Sequence, residues 1–113
     1  MSFVMKIDVL GTEYSVEESD VNNDPKLEDC DGYCDTSTKS IVTDSLQKRK
    51  VDSKGDMESY KRSVLRHELI HAMLYESGLS SSSWGLNEEV VDWIAIQYPK
   101  MSRIFNAAGC AKQ

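Results

Sequence analysis

At 113 residues the chain suits one domain, residues 1–113, with a single modest core. An apolar fraction of 40% and a charged fraction of 28% are those of a soluble globular protein. The net charge of −6 is opposite in sign to that of a typical phosphate-backbone binder, so no nucleic-acid partner is expected. No stretch approaches the roughly 18 apolar residues needed to cross a bilayer, so no membrane partner is expected either.

The first ten residues contain Lys6 and Asp8 within their apolar run. They lack the uninterrupted apolar segment and small-residue cleavage site of a signal peptide, which makes the cytoplasm the expected location. Phe3, Met5, Ile7 and Val9 alternate as on one face of a strand. Gly11-Thr12 reads as a turn, and Glu13–Glu17 alternates around Tyr14 and Val16 as the returning arm of a hairpin. Residues 18–31 are acidic and rich in turn formers, and read as a surface loop. Asp20-x-Asn22-x-Asp24 imitates the start of a calcium loop. Pro25 stands where glycine is required and Asp31 where glutamate is required, so calcium is not expected.

A second hairpin is predicted from Gly32–Asp35 and Ser40–Thr43, with Thr36–Lys39 as its turn. The chain has three cysteines, Cys30, Cys34 and Cys110, an odd number that fits reduced thiols. Cys30 and Cys34 are one residue too far apart for the usual redox or zinc-hook pair, and read as ordinary thiols flanking a turn. Residues 45–56 form a charged connector ending at Asp56, a candidate helix cap.

From Met57 the apolar period becomes helical, through Tyr60, Val64, Leu65, Leu69, Ile70, Met73 and Leu74, with a stop at Gly78. Apolar residues nearly all around this helix predict that it is buried. Ser80–Ser83 reads as a short flexible loop, and a second helix is expected from about Asn87 to Tyr98. Pro99 is expected either to break that helix or to begin a last short one, Lys100–Ala108. Hairpins followed by helices give an α+β domain: a small antiparallel or mixed sheet packed on two helices.

The first helix carries His67-Glu68-Leu69-Ile70-His71, and the chain's two histidines are both in it. Residues four apart share a helix face, so two imidazoles at that spacing can ligate one ion. Glu68 lies beside the first imidazole, where it can reach a metal-bound water without being a ligand. Two histidines leave a zinc site incomplete, since a catalytic zinc usually has three protein ligands and an open position. Glu88 is the favoured third ligand, with Glu89 as the alternative. Asp92 lies four residues after Glu88, in an apolar run where a carboxylate needs a partner. It is expected to accept the free N–H of a ligand histidine and fix its tautomer.

His67-Glu68-x-x-His71 followed by Asn87-Glu88-x-x-x-Asp92 resembles the zincins, specifically the gluzincin branch. The size and the second helix are similar to those of the ImmA/IrrE-type minimal metallopeptidases. Gly32-Tyr-Cys-Asp35 and Leu65–Ala72 resemble small phage-encoded zincin-like proteins. The resemblance implies a hydrolase that uses Zn2+ and acts on a protein or peptide substrate. In that reading Glu68 serves as general base, and the hairpin near residues 32–43 holds the substrate by strand addition. Tyr33, Tyr60 and Tyr75 are candidates for oxyanion stabilisation by residue type alone, and are expected to pack instead. The rivals are a zinc-binding regulatory or interaction protein without turnover, and a helical interaction protein without metal.

Overall fold

The computed structural model describes residues 4–46, 55–79 and 86–113. Phe3, most of the charged connector and the predicted loop Ser80–Ser83 lie outside the described residues.

Strands β1 (Val4–Val9) and β2 (Thr12–Ser19) pair antiparallel, with Val9 opposite Thr12. The turn is therefore Leu10-Gly11, one residue earlier than the sequence suggests. Both turn residues have positive φ, 52° and 98°, as a two-residue hairpin matching the strand twist demands. The Asp8 carboxylate accepts the Gly11 N–H at 2.6 Å and stabilises the turn.

β3 (Gly32–Asp35) and β4 (Ser40–Asp44) form the second predicted hairpin. β4 then pairs in parallel with β2, so the sheet is mixed, in the order β1-β2-β4-β3. The crossover is the acidic segment 20–31, which is not wholly a surface loop. It contains a 3-10 turn, Pro25–Glu28, whose Leu27 is fully buried. The carboxylates that imitate a calcium loop have structural partners. Asp20 accepts the Asn23 N–H, and Asp24 accepts the Lys26 N–H and the Tyr33 hydroxyl.

Two helices follow, α1 (Met57–Glu76) and α2 (Glu88–Ala108). Asp56 caps α1 by accepting the Ser59 N–H at 3.1 Å. Gly78, at φ 80°, ends it: Gly78 donates to the Tyr75 carbonyl and Leu79 to the Leu74 carbonyl. Leu65, Leu69 and Ala72 of α1 pack on Met5, Ile7, Val9, Tyr14, Val16, Cys34 and Ile41 of the sheet. The predicted alternation of β1 and β2 is what places these apolar side chains on one face. Cys34 lies within β3 against this core rather than flanking a turn. None of the three cysteines is joined in a disulfide.

Two helix expectations need correction. α1 is only partly buried: Glu68, Ala72 and Leu74 are inside and most of its other residues are half-buried, whereas Met73 and Tyr75 are exposed. Pro99 neither breaks α2 nor starts a new helix, because α2 continues through it to Ala108. A helix-interior proline removes the N–H that would serve the carbonyl four residues back, here Ala95. Arg66 Nε donates to the Ala95 carbonyl at 2.6 Å instead. Among the described residues, no helix is long and apolar enough to cross a membrane.

Candidate metal centre

The helical spacing brings the His67 and His71 rings together, with centroids 4.8 Å apart and planes at 70°. Their Nε2 atoms are 3.2 Å apart. α2 delivers the third group. Asn87 caps it, with its side-chain oxygen accepting the Glu89 and Val90 N–H groups, which leaves Glu88 as the first helical residue. Glu88 Oε1 lies 2.9 Å from His67 Nε2 and 3.0 Å from His71 Nε2. These three residues form a group able to hold a metal ion. Of the two candidate glutamates, Glu88 stands in that group and Glu89 outside it.

The donor chemistry fits a cation. Asp92 Oδ1 is 3.2 Å from His67 Nδ1, and a carboxylate can only accept there, so Nδ1 carries the proton. In a neutral imidazole the other nitrogen then presents a lone pair. That lone pair faces a carboxylate oxygen and a second imidazole nitrogen. Three electron-rich atoms this close repel one another unless a proton or a metal cation lies between them. Ligands about 2.0–2.1 Å from a tetrahedral zinc stand roughly 3.3 Å apart, near the separations found here.

The burial of these groups differs from what the sequence suggests. The His67 and His71 side chains are 20% and 21% exposed, Glu88 69% and Asp92 57%. Asp92 is paired, as expected, but it is not embedded in an apolar environment. The group that is buried is Glu68, at 7% exposure. Burial pushes its carboxyl above the ordinary glutamate range. The His67 and His71 side chains oppose that shift, and the Glu88 carboxylate adds to it. The result is a sheltered carboxylate next to an open cluster of ligands.

Gly32, read from the sequence only as a strand residue, has a further role beside Glu68. A Cβ added there would lie 3.0 Å from Val64 Cγ1, 3.1 Å from the Val42 carbonyl oxygen and 3.5 Å from Glu68 Cγ. A methyl group at position 32 would press on Val64 and the Val42 carbonyl, so glycine eases the close approach of β3 to α1 beside Glu68. A glycine inside a strand pattern was the available signal.

The tyrosines named as oxyanion candidates have other partners. Tyr33 donates to Asp24 and Tyr60 to Asp31, while Lys39 Nζ sits 4.7 Å from the centre of the Tyr75 ring. Comparison with protein-family models, curated proteins and solved structures finds no match to this chain.

Proposed function

We propose that the protein is a small zinc metallopeptidase of the gluzincin kind, working in the cytoplasm on a protein or peptide substrate. The observation that carries this reading is the meeting of His67 Nε2, His71 Nε2 and Glu88 Oε1 within 2.9–3.2 Å of one another beside the buried Glu68. A donor set of two imidazoles and a carboxylate suits zinc and is the set of catalytic sites that keep an open position.

His67, His71 and Glu88 would hold the ion, and Asp92 would orient His67 through Nδ1. When bound, zinc supplies the Lewis acidity that polarises a scissile carbonyl and acidifies a water. Glu68 takes the proton of the attacking water and returns it to the leaving amine. Its raised proton affinity suits a group that must accept and then release a proton. Among the described residues, β3 is an edge strand, and Gly32 brings its start against Glu68. An extended peptide added along that edge would lie beside the general base.

Glu68→Gln is the direct test. The variant should keep wild-type zinc content and lose cleavage of any substrate the wild type cuts in a peptide-library digest. A wild type that cuts nothing, with every biological effect retained by the variant, would establish the alternative, a zinc-binding regulator without turnover.

A further inference from the structure

His67 and His71 come from α1, and Glu88 and Asp92 from α2, so the centre exists only if the two helices keep one relative position. Glu88 and Asp92 are largely exposed and are not fixed by surrounding packing. The backbones that carry them must therefore be fixed instead. Arg66 immediately precedes the first of these histidines, and Ala95 lies three residues after Asp92. The 2.6 Å bond from Arg66 Nε to the Ala95 carbonyl joins the two helices at that level. Ala95 is fully buried, and Pro99 deprives its carbonyl of the usual donor within the helix. A buried carbonyl without a partner is costly, and a charged donor makes a stronger bond than a neutral one.

We propose that Arg66 is a positioning residue for the metal centre. By donating to the carbonyl that Pro99 frees, it holds α2 against α1 in the position that brings Glu88 and Asp92 to the two histidines. The inference rests on the zinc reading above, and its test separates the two.

Affinity for Zn2+ alone would be measured by competition with a chromophoric chelator, and thermal unfolding of the metal-free protein in parallel. The proteins compared are wild type, Arg66→Met, Pro99→Ala and the double variant. Arg66→Met should bind zinc about 10–100-fold more weakly, the range seen when groups that orient metal ligands are removed. Pro99→Ala returns an N–H to the Ala95 carbonyl without rejoining the helices. The double variant should therefore regain metal-free stability relative to Arg66→Met and still bind zinc weakly. Were Arg66 only satisfying a carbonyl, the double variant would recover zinc affinity as well, and the proposal would be overturned. Affinity within twofold of wild type in Arg66→Met would overturn it too. A wild type that binds no zinc would remove the metal reading and this inference together.

Discussion

Glu68 and Glu76 lie on the same helix, eight residues apart, in contrasting environments. Glu76 accepts the Tyr14 hydroxyl, the Lys39 ammonium and the Thr12 hydroxyl, at 2.8, 3.0 and 2.8 Å. Those bonds hold its carboxyl below the ordinary glutamate range. Glu68 is buried with no hydrogen bond among the described residues to offset the burial, and its carboxyl is pushed up. Glu76 joins α1 to β2 and to the β3–β4 turn, and is committed to structure. Glu68, in the proposed function, is the group that exchanges a proton. The contrast separates a carboxylate that holds the fold together from one that the fold leaves available.

Exchanging each carboxylate for its amide sharpens that contrast. Glu68→Gln should cost about 10²–10⁴-fold in cleavage rate, the usual worth of a general base, with zinc retained. It should not destabilise the protein, because an amide is easier to bury than a carboxylate. A variant that lost both fold and metal would place Glu68 with Glu76 as a structural group.

Asp92→Ala should weaken zinc binding about 10–100-fold by releasing the His67 tautomer, as read by chelator competition. Unchanged affinity would mean that the 3.2 Å contact does not orient the ring.

Gly32→Ala should destabilise the protein by about 1–3 kcal/mol, the cost of forcing a methyl group into occupied space, as read by urea unfolding. Any shift of β3 away from α1 should also lower activity. A neutral result would show that β3 is not seated against Glu68.

The smallest effect is expected at Glu76. A carboxyl whose folded pKa is depressed stabilises the fold above the unfolded value, about 4.3 for glutamate. That contribution is lost as the pH falls through the lower folded value. Glu76→Gln should therefore melt lower than wild type at neutral pH, with the difference shrinking in acid. A difference that grew in acid would reverse the assignment.

Much of the site was legible because its elements are local. His67 and His71 need only helical spacing, and Glu88 and Asp92 are one turn apart on the next helix. Both hairpins were legible from alternation around short polar turns. What escaped depends on contacts distant in sequence. The parallel pairing of β2 with β4 is a non-local contact that no local pattern records. The burial of Leu27 depends on how the crossover folds back. Continuation of α2 through Pro99 is accompanied by a bond from Arg66 on the other helix. Apolar letters around α1 suggested full burial, but a four-stranded sheet and one neighbouring helix leave part of its surface in solvent.

The central claim is that one cation joins α1 to α2, and anomalous diffraction at the zinc edge from crystals grown with Zn2+ tests it most directly. The account predicts a single strong peak bounded by His67 Nε2, His71 Nε2 and Glu88 Oε1. A peak held by the cysteine thiols, or crystals with full zinc exposure and no peak between the helices, would contradict it.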